Sequence, residues 1–465
     1  MKNIIVLGGS YGGARAARVL ASGLQTDHRV ILIDRNSHAN HVYILPRLGV
    51  LPGHEHKAFI PYTRFFSPPS SPTPQDTSTD ASDEPGPSTS RQSRPRHLFL
   101  HASAIKLNEH SVTLDRAFPE HGLPSTEIPF EFLVYALGSH LPAPIDLWTS
   151  DYGSDTEEEE EGSQRNEKPR YGGTKGEGIA WLKRFQDRVA RSQNVLVVGG
   201  GALGVQYATD IATVYPTKHV TLLHSRNRLL PRFDPAMHTE VVKGLEDARI
   251  EVILGERLDL SSISNAKSSP DNNGRIVRTE KGREISCDLL LLCTGQLPNT
   301  GLLRELSPDS VDPLTGLAHV LPTMQLGILP SNEAEMEEEV TLYPHIFVIG
   351  DAADAFGAIK AGHTASFQAE VAAANILRLI EFDEKVNGRG DDDDDDDELK
   401  EHAQLQHYVP GPPQIKVSLG LRANAVYEVN GVVGRKNAEE PEDLYAHMMW
   451  PYFGFKDVTP EEMHL

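Results

Sequence analysis

Short, uninterrupted apolar runs set the rhythm of this chain. Ile4–Leu7, Val30–Ile33, Phe132–Val134, Val195–Val198, Leu289–Leu292 and Ile346–Ile349 show no polar alternation, and Val220–Leu223 is broken only by Thr221. That pattern predicts strands buried on both faces of a parallel sheet. Two of these runs end in glycine-rich turns that lead into helical patterns. The first turn is Gly8-Gly9-Ser10-Tyr11-Gly12-Gly13, followed by a helix over 14–24. The second is Gly199-Gly200-Gly201-Ala202-Leu203-Gly204. An alanine-rich helix is predicted over about Lys360–Leu379, and further strands at Ile415–Leu419 and Ala425–Val429.

A strand–glycine turn–helix unit has a specific use. The first glycine permits the tight bend, the second lets the backbone approach a pyrophosphate, and the third lets the helix pack on the strand. The phosphates then lie at the helix N-terminus, where free N–H groups and the dipole favour an anion. Gly199, Gly201 and Gly204 fit G-x-G-x-x-G fully. In the first turn Gly8 and Gly13 fit the outer positions and Ser10 takes the middle one, with a hydroxyl that can face a phosphate. Two such turns predict a protein that holds two nucleotide cofactors and passes electrons between them.

The strand after each turn refines this reading. The first ends in Asp34-Arg35, where an acid is placed to hold an adenosine ribose. The second ends in His224-Ser225-Arg226 and lacks the acid. A carboxylate there would repel a 2′-phosphate, so this site is expected to accept NADPH as well as NADH.

Two further strands end in small-residue turns, Ala136-Leu137-Gly138-Ser139 and Cys293-Thr294-Gly295, the latter followed by Pro298-Asn299-Thr300. A last one ends in Gly350-Asp351-Ala352-Ala353 ahead of the long helix. The order of these segments resembles the two-dinucleotide flavoprotein superfamily. That group includes disulfide reductases, type II NADH dehydrogenases and apoptosis-inducing-factor-like proteins, and the resemblance covers most of residues 1–380. It implies FAD at the first turn, at Asp34 and Arg35, at Gly138, and at Gly350 and Asp351, whose carboxylate would meet the ribityl–pyrophosphate region. It implies NADH or NADPH at Gly199, Gly201, Gly204, His224 and Arg226.

The stretch Asn40–Leu48 resembles the segment beside the isoalloxazine in apoptosis-inducing-factor-like and ferroptosis-suppressor-like proteins, which would put Arg47 near the flavin. Where many relatives carry a Glu, this chain has Gln206.

Only two cysteines occur, Cys287 and Cys293, and both flank one apolar strand. No C-x-x-C or C-x4-C pair provides a redox dithiol, so electrons are expected to leave the flavin for a non-disulfide acceptor, chiefly a quinone, with oxygen or a protein partner as alternatives. A redox-sensing flavoprotein with little turnover and a flavin monooxygenase stay open as alternatives. No metal site is assigned.

Composition adds boundaries. The net charge is −22, and the runs Glu157–Glu161 and Asp391–Glu398 supply thirteen of those charges. An acidic surface repels nucleic-acid phosphates and excludes nucleic acid as a partner. Residues 67–96, 151–177 and 387–402 are polar, cannot bury enough apolar surface, and are expected to be a disordered insert and two acidic linkers.

The expected architecture is α/β. Two Rossmann-like dinucleotide-binding domains are joined by a small α+β C-terminal domain. The FAD domain comprises 1–145 and 296–380, the NAD(P) domain 178–295, and the C-terminal domain 403–465.

The first strand begins within a few residues of Met1, which leaves no room for a signal peptide. Lys2 excludes N-myristoylation, and no run of 18 apolar residues occurs. A cytoplasmic protein is expected. The apolar segment Leu444–Phe455 leaves open peripheral contact with an intracellular membrane, packing on the body of the protein, or a homodimer interface.

Overall fold

A computed structural model describes residues 1–25, 27–66, 96–142, 145–148, 171–264, 267–268, 274–328, 341–388, 404–421, 424–436 and 440–465. Most of the three polar stretches therefore lies outside the described residues.

The first glycine turn joins β1 (Lys2–Leu7) to α1 (Tyr11–Gly23), which leads to β2 (His28–Asp34). Strands β3 (Leu98–His101) and β4 (Phe132–Tyr135) extend the same sheet. The second turn joins β5 (Asn194–Val198) to α3 (Ala202–Val214), preceded by α2 (Lys175–Arg191). Then follow β6 (His219–His224), α4 (Pro235–Asp247), β7 (Glu251–Leu254) and β8 (Leu289–Leu292). The chain returns through β9 (Gln325–Leu326), β10 (Tyr343–Val348) and the long α5 (Gly362–Gly388).

Two parallel sheets result. The first has the order β9-β10-β4-β1-β2-β3, so strands from both ends of the sequence share it. Only β9 runs antiparallel. The second has the order β7-β6-β5-β8 and is wholly parallel. Ile4, Ile5, Val6 and Leu7 are fully buried, as the uninterrupted apolar pattern requires of a central strand covered on both faces. Helix α1 packs on α5, where Gly12 brings the backbone against Ala365 and Arg15 pairs with Glu370 at 2.6 Å.

A C-terminal meander of β11 (Ile415–Ser418), β12 (Ala425–Val429) and β13 (Val432–Lys436) is antiparallel. Its Val417, Leu419 and Val426 join the core formed by Val205, Ala208 and Ile211 of α3.

Two expected helix boundaries shift, and one open alternative is decided. Helix α2 starts at Lys175, inside the range assigned to an acidic linker, because Thr174 and Glu177 form a capping box that satisfies two of its first N–H groups. Helix α5 starts two residues later than expected and runs to Gly388, since nothing in its alanine-rich stretch stops it at Leu379. The segment Leu444–Phe455 lies on the body of the protein. Trp450, Phe453 and Phe455 are core residues, and Tyr452 donates its hydroxyl to the Tyr11 carbonyl at 3.4 Å. Among the described residues no helix is long and apolar enough to cross a membrane.

Candidate functional site

The two glycine turns have the same construction. Each first glycine has a positive φ, 93° at Gly8 and 125° at Gly199. A side chain there would meet the carbonyl of Ala136 or Cys293, the residues that open the two small-residue turns. Each last glycine is forced by packing, because a Cβ on Gly13 or Gly204 would fall on the carbonyl oxygen of Gly8 or Gly199. The middle positions match as well. Ser10 (φ −72°) and Gly201 (φ −82°) are the N-caps of α1 and α3, and both have extended backbones.

Neither of these two helices has a side-chain cap or an acid in its first turn. By contrast, α2 and α4 are capped by Thr174 and Asp234. The N–H groups at the start of α1 and α3 thus lack side-chain acceptors, and the positive dipole end stays unneutralised. That arrangement fits an anionic ligand.

Around the first turn lies a cavity of about 680 Å³, within the range of small-molecule and cofactor sites. Of the predicted residues, Gly8, Ser10, Gly12, Gly13, Asp34, Arg35, Gly138, Gly350 and Asp351 line it. Gly9 lies behind the wall and donates its N–H to Asp34 Oδ2 at 2.6 Å. Asp34 also receives the backbone N–H of Asn36 at 2.7 Å. Burial pushes its carboxyl up, and these N–H donors pull it back. Asp351 Oδ2 accepts the Ser139 hydroxyl at 2.9 Å, and Gly350 is fixed by its N–H to Gln368 at 2.7 Å. Asn299 donates to the Leu137 carbonyl at 2.8 Å and so holds the Leu137–Gly138 turn. Gly138 (φ 62°) would direct a Cβ into open space.

The wall holds residues that sequence reading missed. Trp148 stacks on the Arg35 guanidinium with 4.3 Å to the ring centroid. Lys360 donates to the Asp351 carbonyl at 2.7 Å, and burial lowers its pKa. Behind the wall, His41 shares a 2.7 Å hydrogen bond with the lining residue Tyr11, and burial lowers the His41 pKa to about 4. The Asn40–Leu48 stretch points to the Tyr43 side of the wall, where Asn40, Val42 and Tyr43 line the cavity, but nothing local marks Trp148 or Lys360.

Arg47 requires a correction. It is fully buried and does not line the cavity. Its Nε stands 2.9 Å from Asp210 Oδ2, and its other nitrogens donate to the carbonyls of Glu442 and Gly420 at 2.8 Å each. It therefore ties the segment after β2 to α3 and to the C-terminal domain. Gln206 does not line the cavity either. It sits one helical turn before Asp210, and its Nε2 is buried without a hydrogen-bond partner. The carboxylate that answers Arg47 stands one turn further along the helix than the residue singled out in the sequence.

At the second turn Gly201 faces open space, with no atom within 4 Å of a built Cβ. His224 packs behind Gly200, and Arg226 is exposed on the loop after β6. Gly199 and Gly204 shape the bend as described. Neither Cys287 nor Cys293 reaches the first cavity. Burial pushes the Cys287 thiol up to about 11 and raises that of Cys293 further. Buried, protonated thiols do not serve as redox nucleophiles.

Comparison with known proteins agrees with this geometry. The family model described as pyridine nucleotide-disulphide oxidoreductase matches residues 2–369. Fe-regulated protein 8 of Mycosarcoma maydis is 41% identical over 422 residues, 90% of this chain and 87% of that protein. Ferroptosis suppressor protein 1 of Homo sapiens is 25% identical over 458 residues, 96% of this chain and 95% of that protein. The solved sulfide:quinone oxidoreductase of Aquifex aeolicus shares the fold with a TM-score of 0.60 at 14% identity, covering 98% of this chain and 91% of that one.

Proposed function

The chain belongs to the pyridine nucleotide-disulphide oxidoreductase family, and from that premise we propose that it passes electrons from NAD(P)H through FAD to a quinone. As a member of that family it is an FAD-dependent NAD(P)H oxidoreductase. The finer reading concerns the acceptor. The observation that carries it is the rim of the first cavity. Val42 and Tyr43 line the cavity, yet are 47% and 46% exposed, and no thiol stands beside them. An apolar, aromatic entrance without a dithiol suits a flat, apolar electron acceptor and not a disulfide.

FAD, when bound, supplies the two-electron carrier between reduced nicotinamide and acceptor. The chain's own residues provide the rest. The uncapped start of α1, with Gly8, Ser10 and Gly13, would hold the pyrophosphate, and Asp34 the adenosine ribose. Asp351, fixed by Ser139, would hold the ribityl end, with the Lys360 ammonium close by. The uncapped start of α3 would hold the nicotinamide nucleotide. The reaction balances as NAD(P)H, a proton and a quinone giving NAD(P)⁺ and a quinol.

Two results are expected. The anaerobically reduced flavin should be reoxidised by a soluble short-chain quinone faster than by oxygen or by a dithiol-forming disulfide. Reoxidation by quinone no faster than by oxygen would favour the low-turnover sensor. Asp351→Ala should bind flavin about tenfold more weakly, the worth of one charge-assisted hydrogen bond. Flavin absorbance per protein after dialysis reads this, and full occupancy in the variant would refute the assignment.

A further inference from the structure

In the wall of the first cavity, Tyr135 and Ser139 donate their hydroxyls to the Asn299 carbonyl at 2.6 Å and to Asp351 Oδ2 at 2.9 Å. Tyr43, at the rim, is different. Its oxygen accepts the N–H of Gly362, the first residue of α5, at 2.8 Å. A phenol oxygen engaged in this way keeps its own proton to give. Among the described residues, that proton has no acceptor.

The position is built from both sides. A Cβ on Gly362 would fall 3.0 Å from the Tyr43 hydroxyl oxygen and 2.7 Å from the Tyr11 ring, so a side chain there would push both tyrosines off the helix start. Tyr11 meets the Tyr43 ring edge-on, with 5.1 Å between centroids and 66° between planes. Tyr11 is in turn tied to His41 by the 2.7 Å hydrogen bond. The free O–H is therefore held in place at the cavity mouth, where Tyr43 remains 46% exposed.

The helix start also sets the chemistry of the phenol. Burial raises its pKa, the Gly362 and His363 N–H groups pull it back, and the Asp351 carboxylate adds to the rise. The phenol thus keeps its proton at neutral pH. Once the proton is given away, the same N–H groups and the positive end of the 27-residue helix steady the phenolate.

We propose that Tyr43 is the proton donor to the electron acceptor, its free O–H meeting a carbonyl oxygen of a quinone at the cavity mouth. The assignment deepens the quinone reading and rests on it. A quinone becomes a quinol by taking two electrons and two protons. Both electrons and one proton come as the hydride equivalent that NAD(P)H gives up. The second proton comes from Tyr43. Its O–H bond breaks, a new O–H bond forms on the carbonyl oxygen, and the phenolate recovers a proton from solvent at the exposed rim.

The test uses Tyr43→Phe in the FAD-loaded protein. This change keeps the ring and its edge contact with Tyr11 and removes the proton. The anaerobically reduced variant is mixed either with a short-chain benzoquinone, which must be protonated, or with ferricyanide, which takes electrons alone. We expect reoxidation by the quinone to slow by about a hundredfold, within the range of general acid catalysis, while the ferricyanide rate matches that of the parent. More quinone should not restore the rate, because the proton is given only in the transition state. In the parent, deuterated water should slow the quinone step and spare the ferricyanide step. An unchanged quinone rate in Tyr43→Phe overturns the proposal. So does an equal loss with ferricyanide, which would make Tyr43 a structural support of the cavity. A parent that the quinone reoxidises no faster than oxygen does overturns the acceptor reading and the proposal together.

Discussion

Gly201→Val should leave a folded, flavin-loaded protein whose reduction by NAD(P)H is slower by about a hundredfold or more. The two halves of this expectation come from one position. Gly201 has φ −82° with an extended backbone, a conformation that valine adopts without strain. A Cβ built there meets no protein atom within 4 Å. Apart from the modest cost of valine at an N-cap, the added side chain meets no protein atom at its Cβ, and what it displaces is a ligand lying against the start of α3. Ser10 is the internal control, because it holds the same backbone geometry at the start of α1 with a small polar side chain. Gly201→Ser should accordingly keep most of the activity. Stopped-flow absorbance reads the reductive step, and flavin content reads the other cofactor. Loss of FAD from Gly201→Val, with reduction of the remaining flavin unimpaired, would exchange the roles of the two turns.

The strands and turns were legible because their physics is local. A strand covered on both faces must be continuously apolar, and a bend with positive φ against a neighbouring carbonyl admits only glycine, as at Gly8 and Gly199. Asp34 and Asp351 were legible for a related reason, since each is fixed by its offset from such a turn. Other parts of the site depend on encounters across the sequence. Trp148 meets Arg35, and Lys360 turns back on Asp351, through packing that no spacing encodes. His224 was legible as a missing acid. That its ring nitrogen takes over the acid's hydrogen bond to the turn became visible only in three dimensions.

The repeated construction also separates what a nucleotide turn needs from what varies. The bend and the close helix packing are the same in both copies, down to the carbonyls that a side chain would strike. The cap position and the strand-end acceptor differ, with Ser10 and Asp34 in one copy, Gly201 and His224 in the other. The shared geometry suits phosphates in general, and the two differing positions are where the copies are expected to differ in the nucleotide they accept.

Arg47 was the residue that sequence reasoning placed least well, and its environment gives the second large expectation. An arginine in a loop reads as a surface or ligand residue, because its partner lies in another domain and leaves no local trace. In the structure Arg47 and Asp210 are both fully buried and stand 2.9 Å apart. Arg47→Met leaves the Asp210 carboxylate buried and alone and removes two hydrogen bonds to the C-terminal domain, at a cost of about 3–5 kcal/mol. Unfolding should shift to clearly lower denaturant, and flavin should be released along with it. Arg47→Met combined with Asp210→Leu buries no charge, so it should recover much of the lost stability. The flavin spectrum and potential of the double variant should match those of the parent, because neither side chain lines the flavin cavity. A single variant with unchanged stability and a shifted flavin potential would return Arg47 to the isoalloxazine.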